Sequence, residues 1–92
     1  MYQIEPGSYK AARKHNVIIR PATNVDKKID VYNHNGEKLA TIGAAGMLDY
    51  HKYLKRDGIE VAREHRRRYK IRHEKDRHVY GTPGYWASVI LW

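Results

Sequence analysis

The supply of large aromatic side chains is the feature that most constrains the fold of this chain. Its 92 residues contain no phenylalanine, but they contain eight tyrosines and two tryptophans. Tyrosine and tryptophan fill a core while keeping a polar group that needs a hydrogen-bond partner or water. A chain of this length forms one small domain, which buries only about 60 to 65% of its unfolded surface. We therefore expect a single core that is partly hydrated, or aromatic faces that contact a neighbouring molecule.

Three short segments in the first half have the composition of β-strands. Residues 14–20 are rich in β-branched side chains and stop at a proline. Residues 28–33 alternate, with Ile29 on one face and Asp30 on the other, as expected for a half-buried strand. An Asn-Gly pair follows, which is typical of a tight hairpin, and residues 38–42 return as the partner strand. The first half therefore predicts a three-stranded antiparallel meander.

Three helices are predicted after the glycine-rich exit from this sheet. The first covers residues 49–56. The second begins just after Asp57, which together with Glu60 matches a capping box, and it extends to about residue 75. Thr82 followed by proline predicts the start of the third helix, because threonine caps helices and proline is favoured in the first turn. All three helices are expected to pack on the sheet.

These elements define an α+β fold, a three-stranded antiparallel sheet (meander) followed by three helices packed on it. Residues 14–92 are predicted to form the domain, and residues 1–13, with a Pro-Gly-Ser turn signal, an N-terminal arm. The absence of cysteine excludes disulfides and thiolate metal sites. No apolar run approaches the roughly 18 to 20 residues of a membrane span, and no signal peptide is visible. We expect a soluble protein that is not secreted.

Positive charge is concentrated in residues 63–73, REHRRRYKIRH. The chain has 18 Lys and Arg against 10 Asp and Glu, a formal net charge of +8. A dense set of cations on one helix is suited to phosphates or to an acidic protein surface. The alternative is a solvated helix face laced with ion pairs. The residues predicted to bind a partner or phosphate are Arg63, Arg66, Arg67, Arg68, Lys70, Arg72 and Arg77.

The helical period predicts which side of this basic helix faces inward. At about 100° per residue, one narrow sector of the helix faces the core. Its members are Ile59, Ala62, Arg66, Tyr69 and His73. Arg63, Arg67 and Lys70 should face solvent. Four tyrosines beside basic or glycine-rich segments are candidate aromatic contacts that could stack on bases. They are Tyr50, Tyr53, Tyr80 and Tyr85.

No residue pattern in the chain predicts catalysis. His73 and His78 are five residues apart, so HEKDRH is not the HExxH zinc signature. A metal-dependent nuclease would need a histidine base near carboxylates that hold a cation. Asp49 with His51 and Asp76 with His78 are the only candidates, and nothing in the sequence brings the two pairs together. We therefore predict a protein that is not an enzyme, with no catalytic residues, no metal site, no cofactor and no small-molecule substrate.

Four short motifs occur in a recognisable order. They are a glycine-lysine hairpin at Gly36 and Lys38, an IGA-x-G-x-x-D exit at 42–49, a Y-x-x-RH helix at 69–73 and a W/F-x-x-x-x-LW ending at 86–92. In this order they resemble a family of small uncharacterised basic proteins encoded by large double-stranded DNA viruses of algae and protists. The chain departs from that pattern in a longer segment between the glycine exit and the basic helix.

The resemblance implies a viral origin and no known catalytic role. The expected function is that of a non-enzymatic minor virion or capsid-associated structural protein that binds an acidic partner surface. One alternative is a genome-associated, nucleic-acid-binding protein that uses the arginine-rich helix, and a second is a metal-dependent nuclease. The expected partners are other virion proteins or nucleic acid, and not a membrane. The expected location is the virion, or the host cell interior during infection.

Overall fold

Four helices and three strands are present in the computed structural model, which describes residues 2–92. They are α1 (Pro6–Lys14), β1 (Ile18–Pro21), β2 (Lys27–Tyr32), β3 (Lys38–Ala44), α2 (Tyr50–Asp57), α3 (Ile59–Arg72) and α4 (Pro83–Leu91). The strands form one antiparallel sheet in the order β1-β2-β3, which confirms the predicted meander and the α+β class. The described residues contain one helix more than predicted. None of these helices is long and apolar enough to span a bilayer.

The additional helix lies where an N-terminal arm was expected. Pro6 occupies the first turn of α1, where its fixed φ angle favours a helix, although the Pro-Gly-Ser pattern predicted a turn. The buried Ser8 hydroxyl donates a hydrogen bond of 3.0 Å to the carbonyl oxygen of Ile90 in α4. Lys14 belongs to α1, and the first strand begins four residues later, at Ile18. The basic N-terminal segment is therefore packed against the domain.

One face of the sheet forms the hydrophobic core. Ile29 and Val31 of β2 are fully buried there, and β1 and β3 contribute further apolar side chains. Helix α4 covers this face with Trp86 and Ile90, which are also buried. The turn between β2 and β3 contains Gly36 at a φ of 84°, the positive value that the Asn-Gly pair predicted. Register between β2 and β3 places Ile29 opposite Ile42.

The opposite face of β2 is also buried, in contrast to the half-buried strand that its alternation predicted. The side chain of Asp30 is only 1% exposed. Its carboxylate accepts hydrogen bonds from the Thr41 hydroxyl at 2.8 Å and from the Thr23 backbone N–H at 3.2 Å. The Lys38 ammonium lies 3.4 Å away. Burial alone would raise the pKa of Asp30, but these hydrogen bonds and the lysine hold the pKa below its usual value.

A buried ion pair joins β2 to the start of α2. The Lys28 ammonium lies 3.1 Å from Oδ2 of Asp49, with side-chain exposures of 2% and 0%. Asp49 also caps α2 by accepting from the backbone N–H of Lys52, and it accepts a hydrogen bond from the Tyr2 hydroxyl. Burial lowers the pKa of Lys28, against the opposing effect of Asp49. Gly43 is required beside this pair, because a Cβ there would lie 2.7 Å from Lys28 Cδ.

Helices α2 and α3 form a helical hairpin that packs chiefly on itself. Gly58, at a φ of 94°, joins them and is the N-cap residue of α3. The predicted capping box is wrong, because the Asp57 carboxylate pairs with Arg56 at 2.7 Å instead. Helix α3 ends at Arg72, three residues before the predicted end. Thr82 caps α4 through its hydroxyl, as predicted.

We expect Asp49→Asn to lower the free energy of unfolding by about 3 to 5 kcal/mol, because it leaves the Lys28 charge buried without its partner. Asparagine still provides a side-chain cap for α2, so the loss isolates the ion pair. Urea denaturation at neutral pH measures it. Adding Lys28→Met removes the unpaired charge and should recover most of the loss. A double variant no more stable than Asp49→Asn would contradict this account.

Thr41→Val should lower the free energy of unfolding by about 1.5 to 3 kcal/mol at neutral pH, because it removes a hydrogen bond to a buried carboxylate. The folded-state pKa of Asp30 lies below the ordinary 3.8. Its ionised form therefore contributes stability above that pH, which is lost as the pH falls through the folded-state pKa. In Thr41→Val the folded-state pKa of Asp30 should rise towards its ordinary value. The variant should therefore lose less stability than the unmodified protein as the pH falls. Urea denaturation across acid and neutral pH tests this, and an identical penalty at every pH would contradict it.

Candidate functional site

The basic residues of α3 fall on two sides of a buried ridge. Ala62 and Tyr69 form this ridge and are 0% and 7% exposed, as the helical period predicted. At about 100° per residue, the cations lie on both flanks of the ridge rather than on one outer face. One flank, named here the basic stripe, carries Arg63, Arg66 and Lys70. The other flank carries Arg68 and Arg72. Ile59, predicted to face inward, is instead 42% exposed at the helix start.

Three of the seven predicted binding residues are paired within the chain. Arg67 and Arg68 share the carboxylate of Glu64, at 2.7 and 3.1 Å. Hydrogen bonding to Arg67 lowers the pKa of Glu64 to about 2, so this carboxylate stays ionised. Arg77 bonds Glu74 at 2.8 Å. Exposed pairs of this kind contribute little to stability, but they reduce the charge available to a partner.

Four of the predicted binding residues make no ion pair with any carboxylate in the described part of the chain. They are Arg63, Arg66, Lys70 and Arg72. Three of these four make up the basic stripe, so the unneutralised charge of α3 is concentrated on one flank. Burial lowers the pKa of Lys70, and the charges of Arg66 and Arg77 lower it further.

Arg66 is held in place within the basic stripe by an aromatic ring of α2. Its guanidinium carbon lies 3.6 Å from the ring centroid of Tyr50, which is a cation–π contact. The Nε of Arg66 is buried and has no hydrogen-bond partner among the described residues. The contact with Tyr50 restricts the long side chain before any partner arrives. The stripe is therefore a partly pre-organised set of cations on a rigid helix.

The other flank of the ridge opens on a groove of about 720 Å³ between β3, α2, α3 and α4. We name it the aromatic groove after the five rings in its lining, which are Tyr53, His65, Tyr69, His73 and Trp92. Tyr53 stacks on His65 with ring centroids 3.7 Å apart. Tyr69 stacks on Trp92 at 4.6 Å and on His73 at 4.3 Å. The groove is thus lined by two ring stacks that α3 shares with α2 and with the residue after α4.

The four predicted aromatic contacts do not form one surface. Tyr50 is 8% exposed and lies beneath the basic stripe, whereas Tyr53 lines the aromatic groove. Tyr80 is 77% exposed in the turn before α4. Tyr85 is half-buried, and its ring lies edge-on to Trp86 at 5.0 Å. Only Tyr50 and Tyr53 therefore lie beside the basic residues of α3.

Among the other rings of the aromatic groove, Tyr69 and His73 were predicted to face inward, but no sequence signal predicted the groove itself. His65 and His73 share a helix face in the sequence, which was the one available signal. Trp92 follows α4, and no local pattern indicates that its ring meets Tyr69. The stack of Tyr53 on His65 joins α2 to α3, and the stack of Tyr69 on Trp92 depends on how the α2–α3 hairpin docks against α4. That docking is a long-range property of the fold.

The histidine–carboxylate pairs weighed for a nuclease are engaged in separate contacts. Asp49 is bound to Lys28 in the core, and His51 Nε2 lies 3.1 Å from the carbonyl oxygen of Ile90. Asp76 lies 3.4 Å from His73 Nδ1, whereas His78 Nε2 lies 3.0 Å from the carboxylate of Glu74. Across residues 2–92, no three His, Asp or Glu side chains are grouped so that they could hold a metal ion. The arrangement in the described residues is suited to binding by charge and aromatic surface.

Comparison of the chain with protein-family models, with curated proteins and with solved structures found no match. The viral family that the motif order resembles stays a prediction.

Tyr69→Ala should lower the free energy of unfolding by about 3 kcal/mol, because it empties the ring position between Trp92 and His73 in the buried ridge. Tyr69→Phe keeps the ring and should remain close to the unmodified protein. Urea denaturation of both variants provides the comparison. An unaltered midpoint for Tyr69→Ala would show that this ring does not hold the hairpin against α4.

Proposed function

We propose that this protein is a non-enzymatic nucleic-acid-binding protein whose basic stripe contacts phosphates. The observation that carries the proposal is the set of cations on one flank of α3 with no carboxylate partner in the described residues. Phosphate contacts need lysine and arginine side chains on a rigid support, and a helix provides that support. The net charge of +8 favours association with a polyanion.

The electrostatics of the basic stripe support an anionic ligand. Burial lowers the pKa of Lys70, and the positive charges of Arg66 and Arg77 add to this lowering. A phosphate placed among these side chains would offset their mutual repulsion. The Arg66 guanidinium, already ordered over Tyr50, would lose less conformational freedom on binding than a free arginine. Arginine also matches phosphate through two parallel hydrogen bonds.

A second candidate function is binding to an acidic surface of another protein, as expected for a minor virion component. Exposed apolar side chains near the end of α3 favour it. Ile71, Val79 and Tyr80 are 63%, 52% and 77% exposed. Tyrosine and arginine are enriched at protein interfaces, so the same region would suit a protein partner. This candidate is tested by probing purified virus particles for the protein. Absence of the protein from the particles would contradict this second function.

The double variant Arg63→Gln/Lys70→Gln should weaken binding to both duplex and single-stranded nucleic acid. On duplex DNA, each lost phosphate contact reduces the salt slope of log affinity by about 0.9, so the two together should reduce it by about 1.8. Titration of labelled oligonucleotides at several salt concentrations measures both effects.

The charge-matched control is Arg13→Gln/Arg20→Gln, which removes two exposed cations from α1 and β1. It should leave the salt slope nearly unchanged. An equal loss in both double variants would show that net charge alone drives association, and would contradict the assignment to the stripe. No binding of the unmodified protein to either nucleic acid at low salt would overturn the proposed function.

A further inference from the structure

The aromatic groove presents stacked rings to a cleft, and most of them are partly exposed. Tyr53, His65, His73 and Trp92 are half-buried, whereas Tyr69 is buried between two of them. The volume of about 720 Å³ is within the roughly 300 to 1,000 Å³ of ligand-binding clefts. These partly exposed rings provide aromatic surface to a flat ligand in the cleft, whereas the ridge residues Ala62 and Tyr69 stay buried.

Charge at the edge of the aromatic groove is mainly positive. Arg68, Arg72 and Lys27 line it and are exposed. Arg72 makes no ion pair with a described carboxylate, whereas Arg68 is bound to Glu64. Asp76 is the one carboxylate among the lining residues in the described chain, and it lies beside His73. The groove therefore combines flat apolar surface with cations at its rim.

We infer that the aromatic groove stacks the bases of a single-stranded nucleic acid while Arg72 and its neighbours hold the phosphates. This inference rests on the proposed function and deepens it, since it names the form of nucleic acid that the second flank of α3 recognises. Base–aromatic stacking beside a basic rim is the recognition mode of single-strand binders. Here the cations of α3 lie beside rings that come from α2, from α3 and from the residue after α4.

The chemistry of the groove favours a single strand over the other polyanions. Bases in a duplex are stacked on each other and cannot reach recessed rings unless they leave the helix. An acidic peptide would pair with the cations, but its carboxylates offer no flat face to the rings of Tyr53 and Trp92. Unpaired bases supply flat faces and phosphates together. The basic stripe, in contrast, lies outside the groove and has no need of unpaired bases.

The test compares an oligothymidylate of about 12 nucleotides with an abasic strand of the same length, which carries the same phosphates without bases. The unmodified protein should bind the oligothymidylate about tenfold more tightly. Tyr53→Leu should bind the two strands nearly alike, whereas Tyr53→Phe keeps the ring and should keep the tenfold preference. Affinity for a duplex should change less than twofold in either variant. Circular dichroism and urea denaturation establish that each variant is folded.

Two further measurements separate this inference from the proposed function. Arg63→Gln/Lys70→Gln should weaken binding of thymidylate and abasic strands equally, so the preference for bases survives. If Tyr53→Leu is unfolded, Arg72→Gln serves instead and should weaken the single strand more than the duplex. Equal affinity of the unmodified protein for thymidylate and abasic strands overturns the groove inference and leaves the proposed function standing. Binding to polyglutamate but to no nucleic acid overturns both.

Discussion

The ion pair between Lys28 and Asp49 is the interaction on which the arrangement of the site depends. Both side chains are withdrawn from water, so each is tolerated only while the other stays in contact. Asp49 also caps α2, and Tyr2 bonds the same carboxylate. One residue therefore connects the sheet, the N-terminal segment and the α2–α3 hairpin. The hairpin in turn carries the basic stripe and three of the five rings of the aromatic groove.

Local sequence signals predicted the parts of the fold that depend on neighbouring residues. The strand around Ile29, the Asn-Gly turn and the Thr82 cap are each specified over a few positions, and each is present, although both faces of that strand are buried. Expectations failed where two local signals competed. Pro6 suits both a turn and the first turn of a helix, and the helix is favoured because Ser8 finds a partner in α4. Asp57 can cap a helix, but it pairs with the adjacent Arg56.

Only the features of the site that a single helix determines could be predicted from the sequence. The helical period correctly turned Ala62 and Tyr69 inward, because one helix determines that geometry. Which cations are paired with carboxylates depends on side-chain contacts that the helical period does not determine. The stacking of Tyr69 on Trp92 depends on how α3 docks against α4. Burial of Lys28 depends on a carboxylate 21 positions away. No hydrophobic periodicity or motif within β2 indicates the contact between Lys28 and Asp49.

Glu64 affects which anionic ligands can bind to the cations of α3. Its carboxylate already occupies donors of Arg67 and Arg68, in the way that a ligand oxyanion would. An incoming anion must displace this internal competitor at those two positions, and it meets no such competitor at Arg63 or Lys70. An anion that binds through charge alone therefore competes poorly with Glu64 for Arg67 and Arg68. A ligand that binds there needs additional contacts.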